Sequence, residues 1–307
     1  MNAPIRLPLL LGLPLAIQAQ APAPAPTQPA NPAAKSPSVE KQILELRVKK
    51  DWAGIRDLID SLPPGEREKW LTTQLEMLNR LQEWERLIPV ADETLALMEK
   101  TTGPRSSLLR LLRANALAKA GRHVEASKAH LEHAVLGWKP GFRSACEEAR
   151  TASDLPLFLA SAEAGLALFP GDLDLLGLKG EAQTKMTHFQ EGAATLAEVA
   201  SKGSIDASVW LNLSCCQNEL ATYPDAETSA SQVIKLEPKN LGGYYNRARA
   251  RLGLKRYAES REDFAAALAL EPKSQPLREN IQFNITGIDK LLAAPAPAKA
   301  KPGKPTS

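Results

Sequence analysis

Chemistry at helical spacing begins here with histidine. The 307-residue chain has four: His123, His130, His133 and His188. His130 and His133 lie about one helical turn apart, and two imidazoles so placed could share a metal ion. No Cys, Asp or Glu completes a dense ligand set beside them, although Glu132 is adjacent. A metal centre needs several ligands and outer partners to orient them, so the pair reads as core packing and no metal is expected. Cys146, Cys215 and Cys216 are an odd set, which leaves at least one thiol unpaired. Adjacent helical residues point about 100° apart, and the three are read as small buried apolar residues. The chain has no GxSxG, no GxxxxGK[ST], no HExxH and no Gly-rich dinucleotide loop. Its carboxylates are scattered, with no pair spaced for acid–base work. The expectation is a protein with no catalytic residue and no cofactor, and therefore not an enzyme.

The elements that would position any site follow from a period. Leu236-Glu237-Pro238-Lys239 recurs as Leu270-Glu271-Pro272-Lys273. At the same offset Tyr223 pairs with Tyr257, Leu220 with Leu254, Asn212 with Asn246, and Trp210 with Tyr244. A fixed period of this size marks units that cannot bury an apolar face alone and must stack. Apolar residues recur at helical spacing throughout the body without strand alternation. Pro156 and Pro224 suit the first turn of a helix, where the missing N–H costs nothing. Pro170, Pro238 and Pro272 fall where helices should stop.

Segments 207–240 and 241–274 resemble tetratricopeptide repeats, the 34-residue helix–turn–helix family. That pattern asks for a large residue at position 4, small ones at 8 and 20, an aromatic at 17 and Pro at 32. Trp210, Ser214, Ala226, Tyr223 and Pro238 meet it in one unit; Tyr244, Ala248, Ser260, Tyr257 and Pro272 meet it in the next. Segment 173–206 fits through Leu176, Gly180, Phe189 and Gly192, with Ser204 where Pro is usual. Segment 107–140 fits through Ala114, Gly121, His123 and Ala126, and 141–172 more poorly through Leu155, Pro156 and Pro170. Asp51-Trp52 and Glu83-Trp84 mark the turns of two degenerate units, about 36–67 and 68–104. Pro89 falls inside the second helix of the latter and leaves its boundaries open. The resemblance implies an all-α, right-handed solenoid of about seven hairpins over 39–294. A final helix, Gln275–Ala293, would cap it with Ile281, Ile285, Ile288 and Leu292 on one face.

The resemblance also places a candidate site. Asn212, Tyr245, Asn246 and Arg249 occupy positions that in this family project from first helices into a concave groove. Amides there would bond a peptide backbone, Arg its carboxylates and Tyr its apolar side chains. Arg247 and Arg251 depart from the pattern at positions usually apolar. Their stems are expected along the core, with the charged heads reaching water or an acid such as Glu219.

The ends differ from the body. Met1–Arg6 carries one cation, Leu7–Ile17 is apolar, and Ala19-Gln20-Ala21 supplies small residues, the order of a secretory signal cleaved after Ala19. Eleven apolar residues are too few for a membrane span, which takes about 20. Residues 20–38 are a Pro/Ala-rich linker and 295–307 a Pro/Ala/Lys tail, both read as disordered spacers. Five of the 38 Lys and Arg lie in these ends, so the body is close to neutral. Nucleic-acid binding rests on clustered cations and is not expected. The sequence thus predicts an exported scaffold, periplasmic or secreted, that binds a protein or peptide partner. An accessory role in assembling an outer-membrane or pilus complex is the alternative.

Overall fold

The computed structural model describes residues 37–102 and 107–293 and, among these, contains helices and no strand. The predicted signal 1–19 and tail 295–307 lie outside the described residues, as does the linker 20–38 apart from Pro37 and Ser38.

Among the described residues, seven helical hairpins follow one another. They pair α1 (Val39–Val48) with α2 (Trp52–Asp60), α4 (Leu71–Leu81) with α5 (Trp84–Thr102), and α6 (Ser107–Lys119) with α7 (His123–Ala134). Then come α8 (Pro140–Thr151) with α9 (Leu155–Leu168), and α10 (Leu173–Lys185) with α11 (Phe189–Ser201). The last are α12 (Ala207–Glu219) with α13 (Tyr223–Leu236), and α14 (Leu241–Gly253) with α15 (Tyr257–Ala269). A one-turn helix, α3 (Pro64–Arg67), and a 3-10 turn bridge the first two units, and α16 (Gln275–Ala293) lies against the last.

Each hairpin turns through one left-handed residue: Lys50, Gln82, Gly121, Ser153, Thr187, Ala221 and Lys255. Such a turn reverses the chain within a few residues, so neighbouring helices run antiparallel and in contact. Only one of these positions is glycine, although the conformation costs other L-residues roughly 1–2 kcal/mol. Thr187, β-branched at φ 62°, is the most strained by type. Thr187→Gly should therefore raise the urea midpoint by the equivalent of about 0.5–1 kcal/mol, the relief less the entropy that glycine adds to the unfolded chain.

First helices begin with a periodic cap. Asp172 Oδ1 accepts from Leu175 N at 3.0 Å, Asp206 Oδ1 from Ser208 N at 2.8 Å, and Asn240 Oδ1 from Gly243 N at 3.2 Å. Second helices α2 and α9 are capped by Asp51 and Asp154. Pro156 and Pro224 occupy the first turns of α9 and α13, and α13 ends just before Pro238. Pro89 lies within α5, and the helix continues past it. In the second turn it forfeits the bond to the Glu85 carbonyl and crowds that carbonyl with its ring, a local cost that the rest of the long helix absorbs.

Small residues let the paired helices close up. Ala114, Ala126, Ser214, Ala226, Ala248 and Ser260 are fully buried. A Cβ on Gly180 would sit 2.5 Å from Leu196 Cγ, so only glycine fits against that side chain. Hydrophobic clusters stay local: Ala248, Phe264, Ala267, Ile281 and Ile288 form one at the C-terminal end, and Cys146, Ala149, Phe158, Ala162 and Ala182 another at the middle. Each draws on neighbouring units, as expected of a quasi-one-dimensional array. First helices α8, α10, α12 and α14 also touch one another directly, more closely than the second helices do. The side on which helices crowd is the inside of the curve, so the first helices line the concave face. The protein is an all-α solenoid.

The C-terminal hairpins carry a cluster of ion pairs. Arg247 makes a two-pronged bond to Asp263, with Nη2 to Oδ1 at 2.7 Å and Nε to Oδ2 at 2.9 Å. Arg251 donates to the same carboxylate at 2.8 Å and to Glu227 at 2.9 Å. Arg256 bridges Glu227 and Glu259. Three guanidiniums and three carboxylates thus tie α13, α14 and α15 together. The sequence-based choice of Glu219 as partner for Arg247 and Arg251 is corrected here: Glu219 bonds Arg249 instead. Two residues along a helix is a rotation of about 200°, so Arg249 and its flanking arginines point to opposite sides of α14.

Candidate protein-binding groove

At the concave C-terminal end, α12, α14 and α16 frame an open groove of about 540 Å³. Asn218 and Glu219 enter from α12, Tyr245, Arg249, Leu252 and Gly253 from α14, and Asn280 and Asn284 from α16, with Tyr223 at the start of α13. Gly253 is required by proximity: a Cβ there would lie 2.6 Å from the Tyr223 ring. That close approach lays the ring flat against the end of α14.

Within the groove, Tyr245 rests edge-on against buried Phe264, with ring centroids 5.8 Å apart. Its hydroxyl donates to Asn280 Oδ1 at 3.0 Å. Asn284 Nδ2 donates back to Asn280 O at 2.8 Å. Arg249 Nη2 donates to Glu219 Oε1 at 2.8 Å, and the guanidinium sits 6.0 Å from the Tyr245 ring centre. Asn218, 5% exposed, donates Nδ2 to Asn246 O at 3.0 Å while its buried Oδ1 has no partner.

The four residues singled out from sequence separate. Tyr245 and Arg249 line the groove together. Asn246 does not: it is 6% exposed, with Nδ2 donating to Ser214 Oγ at 2.8 Å and to Leu211 O at 3.2 Å. It belongs to the seam between α12 and α14, where a buried amide must find internal partners. Asn212 is half-buried, bonds Ser208 O at 3.0 Å one turn back, and is not part of the groove wall. Asn218, Asn280 and Asn284 were not anticipated. A signal existed for one of them: Asn212, Asn246 and Asn280 are spaced by the same 34 residues, which makes α16 a first helix by register.

Among the described residues no group of three or more His, Cys, Asp or Glu is arranged to hold a metal. His130 and His133 are both buried at 2% exposure. His133 stacks on Trp138, with centroids 4.6 Å apart, and its Nε2 bonds the Ser107 hydroxyl. Burial holds both imidazoles below the usual histidine range; at His133 the nearby Arg110 adds to this, while at His130 Glu148 works against it. The folded state thus resists protons that the unfolded chain accepts below about pH 6.5. Stability should be complete above that pH and fall as pH drops from 7 toward 5.5. Urea midpoints across that range check this, and His133→Phe should flatten the fall. Cys146 and Cys216 are buried, and desolvation pushes the Cys146 thiol up to about 12. Cys215 is only half-buried, against the expectation for all three.

The period, the small residues where hairpins cross and the groove on the first helices define an α-solenoid of stacked helical hairpins, similar in pattern to the tetratricopeptide repeats. No family model matches the chain. It is similar to the Hsp70-Hsp90 organizing protein of Triticum aestivum, 26% identical over 112 residues, which is 36% of this chain and 19% of that protein. The Hsp70-Hsp90 organizing protein 3 of Arabidopsis thaliana is 22% identical over the same length. This chain thus spans about a fifth of the length of the curated relatives it matches. Among solved structures, YrrB, described as a TPR protein with an unusual peptide-binding site, shares 13% identity at a TM-score of 0.49, covering 61% of this chain and 96% of its own. MamA of Desulfovibrio magneticus RS-1 shares 14% at 0.49, covering 56% and 98%.

Proposed function

We propose that the protein is a non-catalytic, exported scaffold that seats a segment of a partner polypeptide in the groove between α12, α14 and α16. The carrying observation is the groove itself: side-chain amides, a tyrosine hydroxyl and an Arg–Glu pair converge on a concave surface built by three successive first helices. Stacked repeats present their binding faces on such surfaces. Supporting it, the aligned relatives are named as organizers of two other proteins. Export rests on the order of cation, apolar stretch and Ala exit in residues 1–21, and the mass of the mature chain recovered from cells tests it. Cleavage after Ala19 is expected, and a chain retaining Met1 would reject export. A role as an assembly subunit of an envelope complex would use the same groove.

Photocrosslinking tests the groove. A benzophenone side chain at Asn284, inside it, should yield discrete adducts with partner protein. The same group at Glu262, on the exposed side of α15, should yield none. Equal labelling at both positions would reject the groove as the binding face.

A further inference from the structure

Resting on that reading, we propose that the Glu219–Arg249 pair sets the charge of the segment the groove accepts, and that it selects an extended peptide uncharged where it crosses α12 and α14. The two side chains meet at 2.8 Å and are 37% and 31% exposed, so they neutralise one another on a partly desolvated wall. A ligand carboxylate that reached Arg249 would also face Glu219, and a ligand ammonium drawn to Glu219 would face Arg249. Like-charge juxtaposition of this kind suppresses wrong partners, and selectivity arises by rejection as much as by attraction.

What remains for recognition is amide chemistry. Asn284, on the groove wall, spends its Nδ2 on Asn280, which leaves its Oδ1 to accept a backbone N–H of the ligand. Asn280 spends its Oδ1 on the Tyr245 hydroxyl, which leaves its Nδ2 to donate to a ligand carbonyl. Both halves of a peptide unit are thus met without formal charge, and Tyr245 offers an apolar ring beside them.

The test uses the full chain and a randomised library of end-capped heptapeptides. Wild type should enrich peptides uncharged at the three central positions. Glu219→Gln leaves Arg249 unopposed and should move enrichment toward Asp and Glu by about tenfold or more, and Arg249→Gln should move it equally toward Lys and Arg. The double variant should return to uncharged peptides, which separates a charge rule from general damage. Enrichment of charged centres by wild type, or the same shift in both single variants, would overturn the proposal while leaving the groove a binding site. Retention of no peptide by wild type would overturn the groove reading and this inference with it.

Discussion

Asp263→Ala should cost about 3–5 kcal/mol, the range for removing one partner from a buried ion pair. Asp263 is 4% exposed, and two guanidiniums, Arg247 and Arg251, close on its oxygens at 2.7–2.9 Å. The arginines are themselves largely shielded, at 20% and 16% side-chain exposure. Without the carboxylate, two cations face each other across a space that water enters poorly. Arg261→Ala removes a solvent-screened pair with Asp289 and should leave the urea midpoint almost unmoved. Urea unfolding followed by circular dichroism compares the two. Equal midpoints would mean that the cluster contributes nothing beyond a surface contact.

Phe142→Ala should cost about 3–5 kcal/mol as well, and should divide the unfolding transition. Phe142 is fully buried at the start of α8, packs edge-on to Phe169 at 6.2 Å, and shares a cluster with Ala134 and Leu175. It therefore connects α7 on one side to α10 on the other. Stability in a stacked array is a sum of units and nearest-neighbour interfaces, so a weak interface in the middle lets the two flanks melt separately. Phe264→Ala, near the end, should cost a similar amount without producing two phases. A single sharp transition for Phe142→Ala, shifted as far as expected, would reject the division.

The fold was legible because repetition multiplies weak cues. Asp51-Trp52 and Glu83-Trp84 say little alone, yet both fall at a left-handed turn followed by the first residue of a second helix. The groove was less legible. Adjacent residues on a helix point about 100° apart, so Tyr245 and Asn246 cannot both face the groove, and only packing against the neighbouring unit decides that Asn246 takes the seam. Asn280 and Asn284 are harder to place because the dominant periodic signal of α16 is its apolar side, Ile281 and Ile288. Arg247 and Arg251 carried a clear anomaly, but their true partner, Asp263, is on the adjacent second helix, and a pairing between helices is not written in either helix alone.

The framing of one groove by three first helices has a mechanical corollary. Hairpins that hold only their neighbours peel from a free end one at a time, each step small. A strand of partner laid across α12, α14 and α16 would rivet the terminal stretch into a single block. Under tension, a loaded end should then release in one large rip where an empty one frays, so the cargo itself would set how much pull the array withstands.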